Sequence, residues 1–149
     1  MAILGAVLYD PAVAVTKGTV ASAMAVFDTV NARITFTVPS SGRVLVRIVC
    51  VVHGATTFSS ILLGVMNGST VVGRVCPIGG IKATAVATAM VTQEATFVVS
   101  NLTPAASLTW DAAWGIETFV ASSLIKYGGP NDTTANNAFG ALQFEIWEA

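Results

Sequence analysis

The sequence predicts an all-β fold: an antiparallel β-sandwich or jelly roll of about eight to ten short strands. Three observations predict it. Apolar and polar residues alternate with a period of two over much of the chain, turn residues break the alternation at close spacing, and no stretch carries the 3.6-residue stripe of an amphipathic helix. No linker, low-complexity run or internal repeat divides the 149 residues. The economical organisation is one sandwich domain over 1–149, with residues 1–30 an extended N-terminal segment available to dock on a partner or a neighbouring subunit.

The N-terminal "MAILGAVLYDP" has a short apolar stretch with no preceding positive charge, and "YDP" stands where a small-residue cleavage site would be, so it reads as a mature N-terminus. In "ARITFTVP", Ala32, Ile34, Phe36 and Val38 share one face while Arg33, Thr35 and Thr37 take the other, the pattern of a half-buried strand. "PSSG" (Pro39 to Gly42) is turn chemistry. "RVLVRIVCVV" then puts Val44, Val46, Ile48, Cys50 and Val52 on one face, with Leu45, Val49 and Val51 beside Arg43 and Arg47 on the other. A strand apolar on both faces is central, or lies under a neighbouring subunit.

"ILLGVMNGSTVVGR" places Asn67-Gly68 between two β-rich runs, which predicts a hairpin with a type I′ turn. "IKATAVATAMV" is Ala-rich, but its Thr and Val content and its lack of a helical stripe favour a strand or extended segment. "ATFVVSNLTPAASLTWDAAW" reads as strand, corner, strand, and resembles the Leu-x-Pro corner where fibronectin-type chains pass from one sheet to the other. "GIETFVASSLIKY" supplies one or two further strands, and in "AFGALQFEIWEA" Leu142, Phe144 and Ile146 alternate with Gln143, Glu145 and Trp147.

Between those last runs lies "YGGPNDTTANNAFG", Tyr127 to Gly140. Gly128, Gly129 and Pro130 stop the strand that ends at Tyr127, and Asp132, Asn136 and Asn137 can bond their own backbone. The result is a structured loop of roughly ten residues, long for a simple hairpin. That length suits a contact with a sister subunit or a particle. Tyr127, Pro130, Asn131, Asp132, Asn136 and Asn137 are therefore the candidate assembly loop. Trp147, on the opposite face from Leu142, Phe144 and Ile146, is the candidate oligomer contact, the alternative being a Trp packed under a loop of its own subunit.

Charge is scarce. Lys and Arg number seven and Asp and Glu eight, 10% of the chain against a usual share of about 25%, while 54% is hydrophobic. Such a surface needs cover. The longest apolar run, "VLVRIVCVV", is interrupted by Arg47 and too short for a spanning helix. Cover by copies of itself or by partners is the remaining reading. No basic cluster exists to hold phosphates, which argues against nucleic acid. Cys50 and Cys76 make no CxxC and read as two small buried hydrophobes, with one disulfide between them as the alternative.

No reaction is written in the residues. His53 is the one histidine, there is no G-x-S-x-G elbow, and Cys50 three residues before it falls on the other face of a strand. His53, Cys50 and Cys76 lack zinc spacing, and "PNDTTANN" offers calcium a single carboxylate, Asp132; a weak ion site shared between subunits is the minor alternative. Asp111, Glu117, Glu145 and Glu148 are not paired by spacing for glycoside hydrolysis, and read as solubilising their strands' exposed face. "PIGGIK" and "KYGGPN" are turns rather than phosphate loops, and the sequons "NGS", "NLT" and "NDT" are at chance frequency. The expectation is no catalytic residue, no cofactor and no metal.

Taken together, "ITFTVPSSGRVLVRI", "ILLGVMNGSTVVGR", "LTWDAAWGIE" and "IKYGGPNDTTANNAFGALQFEIW" resemble the small single-domain virion proteins of tailed bacteriophages, the minor tail and head-decoration proteins. The resemblance runs from about Arg33 to Trp147 and implies a jelly-roll sandwich like that of tumour necrosis factor, acting as a homotrimer. It implies a structural, non-enzymatic role in the virion beside other virion proteins, on the tail or, alternatively, as capsid cement. A module binding carbohydrate or a host surface glycan is the second alternative, because Trp110, Trp114 and Tyr127 could stack on sugars.

Overall fold

The structure, a computed structural model, describes residues 1–9, 15–17, 24–53, 60–75, 91–118, 125–127 and 142–149. Those residues form strands β1 (Ile3–Tyr9), β2 (Val15–Lys17), β3 (Ala25–Val26), β4 (Arg33–Thr37), β5 (Val44–His53), β6 (Ser60–Asn67), β7 (Thr70–Val75), β8 (Val91–Val99), β9 (Ser107–Thr118), β10 (Ile125–Tyr127) and β11 (Leu142–Glu148), and no helix. The fold is an antiparallel β-sandwich, as the period-two alternation predicts.

Several short strands lie end to end along one edge of a longer neighbour and act as one column. Val52 pairs Val91 and Tyr127, and Val49 pairs Glu94 and Gln143, so β10 and β11 share the edge of β5 that β8 leaves free. β2 and β1 extend that column outward in the same manner. In the second sheet β3 and β4 share one edge of β9, and β6 followed by β7 lies on the other. Each sheet thus has four columns, and the pairing is nested. The first column pairs the last, the second (β3 and β4) pairs β9, β5 pairs β8, and β6 pairs β7.

The core lies between the sheets. Ile48, Phe144 and Leu142 from the first sheet meet Leu63, Trp110 and Trp114 from the second, all nearly sealed from solvent. Phe36 packs edge-on to Trp110 at 4.9 Å and Phe27 stacks on Trp114 at 4.8 Å, contacts worth about 0.5–1.5 kcal/mol each beyond area burial. Glycines let the two edges close. A Cβ at Gly5 would run into the Ile34 side chain, and one at Gly73 would sit 2.9 Å from Phe97.

β5 is central, paired on both edges, and its second apolar face, Leu45, Val49 and Val51, is half-buried on the outside of the sheet. The predicted hairpin forms, but Asn67 pairs Thr70, leaving Gly68 and Ser69 as the two-residue loop. Only Gly68 has positive φ, 58°, which is the type II′ pattern rather than the expected I′. The predicted corner carries the chain from β8 in one sheet to β9 in the other. There Ala106 N–H donates to the Thr103 carbonyl at 3.2 Å with Ala105 at φ 63°, a type II turn with Pro104 leading it.

Within 1–30, the described strands β1, β2 and β3 pair with β11, β10 and β9 of their own chain, and residues 10–14 and 18–23 lie outside the described residues. One expectation changes. Asp111 does not solubilise an exposed face. It is 2% exposed, and Arg33 neutralises it across the β4–β9 pair. Of "IKATAVATAMV" only Val91 is within the described residues.

Candidate functional site

Cross-strand register assembles a surface that no single segment contains. On the outer face of the first sheet, Ile3 pairs Trp147, Trp147 pairs Leu45, and Leu45 pairs Val98. These four make one straight apolar row across β1, β11, β5 and β8. Ile3 is 50% exposed and Val98 44%, and Leu45 and Trp147 are half-buried. Opposed residues on adjacent strands have Cβ atoms about 4.5–5.5 Å apart, so the row is continuous. Leu8, 71% exposed on β1, extends the apolar character along the same edge.

A charged group borders the row. Arg47 Nε donates to Glu94 Oε1 at 2.8 Å, and Arg47 Nη1 lies 3.6 Å from Glu145 Oε2. The bond to Glu94, with the attraction of Glu94 and Glu145 behind it, raises the Arg47 guanidinium above the usual arginine value. Trp147 Nε1 donates to Glu145 Oε2 at 3.0 Å, which satisfies the indole. Exposed pairs of this kind contribute little stability, about 0–1 kcal/mol, so their effect is to fix side-chain positions. Across the row from this group stands Arg43, exposed and without an ion pair to any described residue.

Trp147 therefore sits where the sequence puts it, opposite the buried Leu142, Phe144 and Ile146. Ile3, Leu45 and Val98 join it, and sequence reasoning did not find them as a group. The available signal was the second apolar face of "RVLVRIVCVV"; the register that lines it up with β1 and β8 has no local signature.

Tyr127 closes β10, where its backbone pairs with Val52 and Val15. Pro130, Asn131, Asp132, Asn136 and Asn137 lie outside the described residues. Tyr127 and Gln143 pair with Val52 and Val49 on the same edge of β5, about 10 Å apart, so the chain leaves and rejoins a single column.

Other candidates lose their chemistry. Trp110 and Trp114 are each 1% exposed, which removes both from any sugar-stacking surface. Cys50 is a free thiol, fully enclosed, and burial pushes it up to about 12. Cys76 is outside the described residues, as is the side chain of His53. No group of three or more His, Cys, Asp or Glu capable of holding a metal occurs among the described residues. No described helix is long and apolar enough to cross a membrane.

Compared with family models, with curated proteins and with solved structures, the chain matches none.

Proposed function

We propose that this chain is a non-enzymatic structural protein of a bacteriophage virion, a tail-associated protein that works as a symmetric oligomer. The observation that carries the assembly part is the apolar row Ile3–Trp147–Leu45–Val98, on a chain with few charges to keep such a face in water. The virion part is supported by the resemblance of four segments to minor tail and decoration proteins.

The finer fold we assign is a jelly roll of the tumour necrosis factor kind. Nested pairing supports it. A ribbon whose first column pairs its last, and whose middle is the β6–β7 hairpin, is the wrapped double Greek key of eight-column jelly rolls. A trimer is what the resemblance implies for the oligomer.

Light scattering of the purified chain over a concentration series tests assembly: a mass above one chain is expected, and a monomer throughout overturns the proposal. Antibody labelling of particles from a phage encoding this chain tests location. Label on the tail is expected, label on the head shell favours capsid cement, and no label overturns the virion reading.

A further inference from the structure

We infer that the tip of the β6–β7 hairpin is a self-modifying site: the Asn67 side chain condenses with the backbone nitrogen of Gly68, releases ammonia, and leaves aspartate or isoaspartate at that position. The inference is independent of the function above and needs no partner.

Asparagine is a thermolabile residue, and this reaction asks three things of its surroundings. The amide must be held by nothing, the next N–H must be held by nothing, and no side chain should stand beside that nitrogen. Asn67, Gly68 and Ser69 are all exposed. Asn67 pairs Thr70, so the pairing that closes the two-residue loop leaves the Gly68 N–H out. No hydrogen bond from that N–H or from the Asn67 amide occurs among the described residues. A Cβ at Gly68 would meet nothing within 4 Å, so the nitrogen is open to approach. Glycine also lets the backbone turn toward the side chain at little steric cost.

The other two described asparagines show the contrast. The Ala32 N–H, following Asn31, donates to the Asp28 carbonyl at 3.2 Å, and the Leu102 N–H, following Asn101, donates to the Gly42 carbonyl at 3.0 Å. Both nitrogens are tied down, and each has a side chain beside it. Asn67 is also the chain's only asparagine that precedes a glycine.

The Gly68 nitrogen gives its proton to water and bonds to Asn67 Cγ; the Cγ–Nδ2 bond breaks and Nδ2 leaves as ammonia, closing a succinimide ring. Water then opens the ring on either side. Attack at Cγ yields aspartate, whereas attack at the main-chain carbonyl carbon yields isoaspartate, whose main chain runs through Cβ and Cγ and is one atom longer. One water is consumed, one ammonia is released, and nothing is oxidised or reduced. Either product adds a carboxylate at the tip of a chain whose net charge is −1, and isoaspartate also lengthens a loop of only two residues.

The test incubates the folded full chain in mildly alkaline and mildly acid buffer, then maps its peptides by mass. A gain of one mass unit at Asn67 is expected to accumulate with time, several-fold faster in the alkaline buffer, with isoaspartate detected by enzymatic methylation of the hairpin peptide. Asn31 and Asn101 are expected to stay unchanged. Asn67→Gln, whose side chain would have to close a larger ring, is expected to abolish the gain at that position, and Gly68→Ala to slow it several-fold. Urea below the unfolding transition should leave the rate unchanged, because the tip reacts in the folded chain. An unaltered Asn67, an equal gain at Asn31 or Asn101, or a rate that climbs with the unfolded fraction overturns the inference.

Discussion

Arg33 on β4 holds Asp111 on β9 through two parallel hydrogen bonds, Nε to Oδ1 at 2.6 Å and Nη2 to Oδ2 at 2.9 Å. The two partners are unequally enclosed: the Asp111 side chain is 3% exposed and that of Arg33 41%. Removing the exposed partner strands a buried charge, whereas neutralising the buried one does not. Arg33→Ala is therefore expected to lower the thermal midpoint more than Asp111→Asn does. Equal losses in the two variants would show that the carboxylate finds another partner.

Gly64 on β6 faces the backbone of β7. A Cβ there would collide with the Gly73 carbonyl and lie 2.8 Å from the Arg74 Cα, and neither atom belongs to a side chain that can swing away. Gly64→Ala should cost about 1–3 kcal/mol in urea unfolding. Gly68 is the control: it has open space around it and φ +58°, so Gly68→Ala should cost only about 1 kcal/mol for the left-handed backbone. The reverse ranking would mean that β6 and β7 separate easily.

Asp28 organises the connection between β3 and β4. Its Oδ1 accepts from the backbone N–H of Asn31 and of Val30, both at 2.7 Å, and its Oδ2 accepts from the Tyr9 hydroxyl at 3.0 Å. The Asn31 bond, with the others behind it, holds the carboxyl below the usual aspartate value. A folded value below the unfolded one means that the contribution is complete above about pH 4 and is lost as pH falls through the lowered value. Asp28→Asn should therefore narrow the stability difference between neutral and acid solution. An unchanged difference would place the acid sensitivity elsewhere.

Cys50 is enclosed between the sheets beside Gln93, its cross-strand partner, and its thiol is pushed up to about 12 by burial. At neutral pH it is protonated and out of reach. Dithionitrobenzoate should label it only as fast as the sandwich opens, with label rising together with loss of structure in urea. Rapid labelling of Cys50 in the native protein, identified by peptide mass, would contradict its enclosure.

Much of this architecture was legible because strand alternation is a local signal. Ile34, Phe36, Val46 and Ile48 declare their buried face within five residues of chain, and Gly68 marks its hairpin. Asp111 was misread because a carboxylate's burial depends on a partner 78 residues away. The apolar row was missed for a related reason. Ile3, Leu45, Val98 and Trp147 are scattered through the chain, and only the pairing register makes them neighbours. The unequal turn chemistry at Asn67 is smaller in kind: the sequence marks the reversal, but the bulge between Val65 and Met66 sets which residues occupy its two central positions.

Nested pairing also has a consequence for how the chain comes to be folded. Among the described residues only the β6–β7 ladder joins segments close in sequence; β5 must wait for β8, β4 for β9, and β1 for β11. Closure of this kind proceeds from the middle outward and is slow, since each step pays for a longer loop before its contacts form. During synthesis β1 emerges before the other described strands, and its described partner β11 leaves the ribosome after them. Its apolar "ILGAVLY" is then an open edge of the sort that recruits wrong partners. Expression yield should accordingly be most sensitive to the segment that the finished sandwich needs last.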